Sequence, residues 1–262
     1  MRFLVATDYD GTLNQNGEIS PQNVAAIKKF RSKGHLFGIV TGRDYPLGFK
    51  VFKEENLFEF DFIIMCNGAE TCDADGNILF SHFINGPVNL KNSTFAKKLI
   101  KRCLELTSNC CRISLEKKRY NFHPEHLNGA TISNVEYSSI SVLENINNFI
   151  SASAVCDTFE QANQITEILK KEFGEYINPL RNGKYIDISP AGIDKSTGIE
   201  NYASYMNIRK ENIYAAGDNY NDISMLKKYH GCAMSRGVKE ISEIAEYTCD
   251  SVADVISMLL EQ

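Results

Sequence analysis

The sequence predicts an α/β fold in which a doubly wound parallel sheet is interrupted by an α+β insert. Three observations lead there. Short apolar runs that end in polar residues alternate with amphipathic helical segments toward both ends of the chain. In the middle that rhythm gives way to short strand-like pieces, and it returns after an Asn182-Gly183 turn. Parallel strands covered on both faces read as continuous apolar runs, which the flanking segments show.

Taken in order, Phe3-Leu4-Val5-Ala6-Thr7 is the first such run, and Asp8 stands where it emerges. Ser20-Pro21 supplies an N-cap and a first helical position. Val24, Ile27 and Phe30 recur at helical spacing, and Gly34 closes the helix. Residues 36–40, LFGIV, form a second strand that ends in Thr41-Gly42-Arg43. A helical segment occupies the forties and fifties, and DFIIMC (61–66) is a third strand ending in Asn67-Gly68.

The insert begins near residue 80. A helix over 94–106 carries Phe95, Leu99, Cys103 and Leu106 on one face. CRISL (111–115), RYNF (119–122) and ATIS (130–133) are strand-like, and a helix spans about 158–173 with Ile165, Ile168, Leu169 and Phe173 apolar. Asn182-Gly183 between two β-type runs marks a hairpin. A helix then starts near Lys195, and residues 212–217 make a strand ending in Asp218. A helix through Met225-Leu226, a strand at 231–235, a helix at 238–246, a short strand near 247–249 and a last helix follow. Residues 1–82 and 184–262 are thus expected to form one domain, interrupted by a second over 83–183.

Composition narrows the function. A charge of −5 argues against a nucleic-acid partner, which calls for a basic surface. No apolar run approaches the roughly 18 residues of a membrane span, and no basic-then-apolar leader is evident, so no membrane partner and a cytoplasmic location are expected. The eight cysteines show no CxxC pair, so reduced, buried thiols are expected, with Cys110 and Cys111 on opposite faces of a strand. Pro124 within His123-Pro-Glu-His126 argues for a loop or an edge strand rather than a helical metal face. The basic insert residues Arg112, Lys117, Lys118, Arg119, His123 and Arg181 read first as solvated surface.

Chemistry concentrates at predicted strand ends. Asp8 and Asp10, two apart, would stand about 7 Å apart on an extended strand. Carboxylates that close repel unless a cation intervenes, and magnesium, which takes oxygen ligands and a substrate phosphate, suits them. Asp218 and Asp222 follow another apolar strand. Thr41-Gly42-Arg43 offers a hydroxyl, a close-approaching backbone and a guanidinium fork to an anion. Lys195 lies at a helix start, against the helix dipole, which an anion sharing the site would explain.

DYDGTL (8–13), TGR (41–43), Lys195 and GDNYND (217–222) resemble the four motifs of the haloacid dehalogenase-type (HAD) phosphohydrolases, in the family's order. NGA (67–69), the insert after the third strand and GD-x-x-ND-x-x-M resemble its Cof-type subfamily, which has a type-IIB cap. Departures are small: Ser196-Thr197 follows Lys195, and Ala233-Met234-Ser235-Arg236-Gly237 replaces a more usual Ala-Met-Gly-Asn-Ala. The resemblance implies a Rossmannoid core over 1–82 and 184–262, with an inserted α+β cap at 83–183 that selects the substrate. It also implies a magnesium-dependent phosphatase that acts on a small phosphate ester, plausibly a sugar phosphate, through an aspartyl-phosphate.

By that resemblance Asp8 is the nucleophile and a metal ligand, and Asp10 is the acid–base and binds metal through its backbone carbonyl. Thr41 and Lys195 hold the phosphoryl group with Gly42 and Arg43 beside it, and Asn221 contacts it. Asp218 is a metal ligand and Asp222 supports the metal shell. A phosphomutase of the same superfamily is the first alternative, and a receiver-like phosphorylation-dependent binding module the second.

Overall fold

A computed structural model describes residues 2–55, 58–132 and 134–261. The chain runs through β1 (Leu4–Thr7), α1 (Pro21–Ser32), β2 (Leu36–Val40), α2 (Phe49–Glu55), β3 (Phe62–Met65), β4 (Glu70–Asp73) and β5 (Ile78–Ser81). It continues through α3 (Asn92–Thr107), β6 (Cys111–Leu115), β7 (Lys118–Phe122), β8 (Asn128–Ile132), β9 (Val135–Ser139), β10 (Ser151–Val155), α4 (Phe159–Phe173), β11 (Ile177–Asn182) and β12 (Tyr185–Pro190). It ends with α5 (Lys195–Tyr205), β13 (Ile213–Gly217), α6 (Ile223–Lys228), β14 (His230–Met234), α7 (Lys239–Ser242), β15 (Tyr247–Cys249) and α8 (Val252–Leu260). Two compact units result: residues 1–43, 47–80 and 194–262 form the first, and 44–46 with 81–193 the second.

The first unit is an α/β layer structure around a sheet of order β15-β14-β13-β1-β2-β3-β4-β5. The pairs from β15 through β3 are parallel, and β1, at the centre, pairs with both β13 and β2. Every residue of β1, β2 and β13 is buried, as their apolar runs require. Leu4, Ala6, Val40, Phe62 and Ile64 pack against Ile199, Tyr202 and Ala203 of α5, with the Phe62 and Tyr202 rings stacked 4.0 Å apart. Burying an aromatic or branched side chain there contributes about 1.5–3 kcal/mol. Ser20 caps α1 by accepting from the Asn23 amide, as the Ser-Pro pair predicts.

Two features of this sheet differ from expectation. β3 stops at Met65, and Cys66–Gly68 form a turn of 3₁₀-helix in place of the strand's end. β4 then returns antiparallel to β3, where no strand was expected. Its sequence, ETCD, has too little apolar character to announce a strand; it owes its state to the paired edge. The turn is costly. Cys66 and Asn67 both adopt left-handed backbone, and Gly68 has φ 105°. A Cβ at Gly68 would overlap the carbonyl oxygen of Asp194, where α5 begins. Gly68→Ala should therefore destabilise by about 1–3 kcal/mol through strain and overpacking, read as a lower urea midpoint. An unchanged midpoint would show that α5 can retreat freely.

The second unit carries a five-stranded antiparallel sheet, β11-β12-β10-β6-β7, and a two-stranded ribbon, β8-β9. Helices α3 and α4 cover the larger sheet; Phe95, Leu99, Ile165, Leu169 and Phe173 meet Ile113, Phe122, Ile186 and Ile188 in its core. The Asn182-Gly183 turn closes the β11–β12 hairpin, with Gly183 at φ 60°. Both hairpin strands belong to the second unit, so the contact boundary falls at 193/194 rather than 183. β10, SASAV, was not anticipated: its small residues give weak apolar contrast, although burial alternates along it. Ser133, the last residue of the expected strand 130–133, lies outside the described residues. The helix expected at 238–246 is the single turn α7.

None of the eight cysteines forms a disulfide and seven are buried; Cys111 lies in the core while Cys110 is partly exposed. Pro124–His126 form a 3₁₀ turn that His123 caps, its Nδ1 accepting from the Glu125 amide. Arg119 departs from the expected solvated role. Its guanidinium donates twice to Asp44, at 2.8 and 2.7 Å, and the Ser114 hydroxyl adds a third bond to that buried carboxylate. Lys117, at the β6–β7 turn, has left-handed backbone, so the charged stretch 115–120 is the turn of a hairpin.

Candidate active site

Parallel strands place their following residues at one edge of the sheet, and ligands bind at that edge in open α/β folds. Asp8 follows β1, Thr41 follows β2, Cys66 follows β3 and Asp218 follows β13. The backbone fixes Asp8 first: its amide donates to Ala216 O of β13 at 2.8 Å, and its carbonyl accepts from the Leu13 amide at 3.3 Å. The chain after it curls tightly, with Asn14 N donating to Tyr9 O at 2.8 Å and Gly11 N to Asn14 O at 2.9 Å.

The Asp-Gly-Thr run now has a local reason. Gly11 has φ 90°, and a Cβ there would overlap the Asp218 carboxylate. The Thr12 hydroxyl donates to Asp218 Oδ1 at 2.8 Å. Neither role is legible in the motif alone, because Asp218 lies far along the chain and only strand pairing brings it near.

Lys195 sits at the first position of α5 and is fully buried. Asp194 makes that start tolerable: its Oδ1 accepts from the Thr197 amide and from the Ser196 hydroxyl, at 3.0 and 2.7 Å. Lys195 Nζ donates to Asp8 Oδ1 and to Asp222 Oδ1, at 2.5 Å each. Asp222 is held from its other side, Oδ2 accepting from the Asp218 and Asn219 amides at 2.9 and 3.0 Å. Asp222 therefore shapes the 218–222 loop and orients Lys195 as well as lying in the acidic cluster. Carboxylate oxygens of Asp8, Asp218 and Asp222 all lie within 4.8 Å of one another.

Charge balance defines what this cluster can hold. Three carboxylates, two of them buried, face one ammonium, so acidic groups outnumber basic ones in the cluster. Burial pushes the Asp8 carboxyl well above the usual carboxylate range, against the pull of Lys195, with Asp222 and Asp218 adding to the rise. Burial and Asp222 raise Asp218 to about 6, although the Thr12 hydroxyl opposes this. Burial alone would lower Lys195, but Asp222 and Asp8 outweigh it and hold the ammonium above its ordinary value. Hard oxygen donors with uncompensated negative charge are what a divalent cation such as magnesium takes.

The other expected site residues fall into two groups. Thr41 is buried; its amide donates to Ile64 O, its carbonyl accepts from Asn67 N, and its hydroxyl accepts from the Arg43 amide. Asn221 is buried and its Nδ2 donates to Asn67 Oδ1 at 3.3 Å, which ties the β13 loop to the turn after β3. Gly42 lies between Thr41 and Arg43 in the loop after β2. Asp10 and Arg43 form a pair of their own. The guanidinium, expected beside a phosphoryl group, forks onto Asp10 with Nε–Oδ2 2.8 Å and Nη2–Oδ1 2.6 Å. The Asp10 carboxylate accordingly lies outside the Asp8, Asp218, Asp222 group. Sequence reasoning missed Thr12 and Asp194, although Asp194 followed by Thr197 is an N-cap pattern.

Comparison with known proteins identifies the family. The family model of haloacid dehalogenase-like hydrolases matches residues 5–259. A 5-amino-6-(5-phospho-D-ribitylamino)uracil phosphatase of Bacillus subtilis is 24% identical over 258 residues, covering 94% of this chain and 91% of its own. A second B. subtilis phosphatase of that name is 26% identical over 252 residues, covering 95% and 90%. Among solved structures, a haloacid dehalogenase-like hydrolase from B. subtilis superposes with a TM-score of 0.81 at 19% identity, covering 98% of this chain and 99% of its own. A HAD subclass IIB sugar phosphatase superposes at 0.78, with 19% identity and 98% of each chain covered. Among the described residues no helix is long and apolar enough to cross a membrane. With its strand-end carboxylates, its buried lysine and a family match over nearly its whole length, the chain belongs to the haloacid dehalogenase-like hydrolases, as a phosphatase of the Cof type.

Proposed function

We propose that this protein hydrolyses a small phosphorylated metabolite, a phosphate ester of a sugar or polyol, through an aspartyl-phosphate formed on Asp8 with magnesium bound. The observation that carries the reading is the buried Asp8–Lys195–Asp222 triad with Asp218 beside it, at the carboxyl edge of β1 and β13. The substrate class draws on the relatives, two of which act on a phosphorylated ribityl compound. A cytoplasmic location, where such metabolites are met, accompanies the proposal.

Asp8 and Asp218 would hold the metal through carboxylates and Asp10 through its backbone carbonyl, while Asp222, engaged by Lys195 and by the Asp218 and Asn219 amides, would support that shell. Magnesium, when bound, neutralises charge on the phosphoryl oxygens and on the cluster itself. Lys195 occupies Asp8 Oδ1, which leaves Oδ2 to attack phosphorus. As that bond forms, the ester P–O bond breaks and the leaving oxygen takes a proton from Asp10. Thr41, the Gly42 backbone, Asn221 and Lys195 hold the phosphoryl oxygens as charge redistributes. Water then attacks the aspartyl-phosphate, gives its proton to Asp10, and releases inorganic phosphate with Asp8 restored.

Hydrolysis of an aryl phosphate should fall to background in excess chelator and return when magnesium is added back. Full activity in the chelator would overturn the metal assignment. A panel of sugar and polyol phosphates should contain the preferred ester; turnover of none would overturn the substrate class.

A further inference from the structure

We infer that Arg43 is the positioning residue of Asp10, and that its fork serves the acid–base group rather than the phosphoryl group. This rests on the phosphatase reading above and deepens it. Asp10 is the one exposed carboxylate of the proposed machinery, its side chain 58% accessible where that of Asp8 is 8%. Such a side chain samples several rotamers, yet proton transfer requires it at a fixed place relative to the leaving oxygen. Among the described residues its carboxylate is hydrogen-bonded by Arg43 alone.

Arg43 is built to impose that place. Its guanidinium is held at all three nitrogens: Nε and Nη2 meet the two Asp10 oxygens, and Nη1 donates to Leu47 O at 3.2 Å. Its flat face lies over Tyr9, 4.8 Å from the ring centroid, and 5.5 Å from that of Phe52. Those two rings are buried and pack 4.1 Å apart, so the platform is rigid. Tyr9 is the residue between the two aspartates, and the Asn14 side chain donates to its hydroxyl at 3.1 Å. The loop that carries Asp10 therefore also carries half of the surface that fixes its partner.

The arrangement is compatible with both proton transfers. A bidentate fork uses one acceptor site on each carboxylate oxygen, and each oxygen has a second. The proton that leaves Asp10 for the ester oxygen, and the proton that returns from water, occupy those remaining sites while Arg43 stays in place. A guanidinium held in this way has two fewer donors for a phosphoryl group.

Leaving-group dependence tests the assignment. Full-length wild type, Arg43→Ala and Arg43→Lys are compared on an alkyl phosphate, whose leaving oxygen needs a proton, and on dinitrophenyl phosphate, whose leaving group does not. For a positioning residue, kcat on the alkyl ester falls roughly 10²-fold in both variants, since neither can fork. The burst of dinitrophenolate release, the KM values and inhibition by inorganic phosphate stay within about threefold of wild type, as uniform phosphate binding is untouched. Equal losses on both esters, with weaker inhibition by inorganic phosphate, would place Arg43 on the phosphoryl group and overturn the inference alone. Unchanged rates on both would overturn it as well. A wild-type enzyme that cleaves neither ester overturns the phosphatase reading and this inference with it. Arg43→Lys keeps the charge over the rings, so a folding failure of the alanine variant leaves the comparison intact.

Discussion

Asp8→Asn is expected to abolish turnover and covalent phosphorylation together, while Asp10→Asn slows turnover by about 10²–10⁴-fold. The two residues are two apart in sequence, yet their surroundings differ in every respect that matters. Asp8 is buried, one oxygen held by Lys195, and its backbone is pinned to β13. An amide in its place has no nucleophilic oxygen to form the mixed anhydride. Asp10 is exposed and manages protons, so its loss slows the reaction without removing the attacking group. Acetyl phosphate, whose leaving group needs little protonation, should still phosphorylate the Asp10 variant. Intact-protein mass spectrometry should then show one added phosphoryl group on Asp10→Asn and none on Asp8→Asn. Near-normal turnover by the Asp8 variant would mean that another group attacks. Folding offers an internal control. Asp8→Asn removes a carboxylate that burial disfavours, so the melting temperature of the metal-free protein should hold or rise.

Lys195→Met should have the opposite effect on stability. The ammonium is fully buried and bridges Asp8 and Asp222; removing it strands two carboxylates in a site where burial already works against them. Breaking a buried ion pair from one side typically costs about 3–5 kcal/mol. For a chain of this size that is a melting temperature lower by roughly 6–20 °C in metal-free buffer. Magnesium should recover part of the loss by meeting the same carboxylates. Activity should fall by about 10²–10³-fold even with magnesium present, because a preorganised charge on the phosphoryl oxygens is gone. A metal-free stability within about 1 kcal/mol of wild type would show that the carboxylates are neutral without Lys195, and would overturn the charge balance described for the cluster.

The motif residues were legible because each stands directly after a run that could only be a buried strand. LVAT, LFGIV and IYAAG leave no polar face, so Asp8, Thr41 and Asp218 had to mark strand ends. Elements whose state depends on a partner were not legible. ETCD and SASAV carry little apolar contrast, and become strands because β3 and β6 offer them a paired edge. Arg119 reads as solvated surface in sequence, yet its fork lies on the buried carboxylate of Asp44, 75 residues away.

By itself the sequence determined the α/β class, the interruption by a second unit, and which side chains stand at strand ends. Those follow from local periodicity and from turn chemistry, which neighbouring residues carry. Only the tertiary structure decided how the charges pair. Lys195 meets Asp8 across 187 positions of chain, Thr12 meets Asp218 across 206, and Arg43 turns to Asp10 rather than standing open. Sequence gives the sign of each charge. Pairing depends on distance and burial, because Coulomb energies and desolvation change severalfold over a few ångströms, and those distances exist only once β1, β2 and β13 lie side by side.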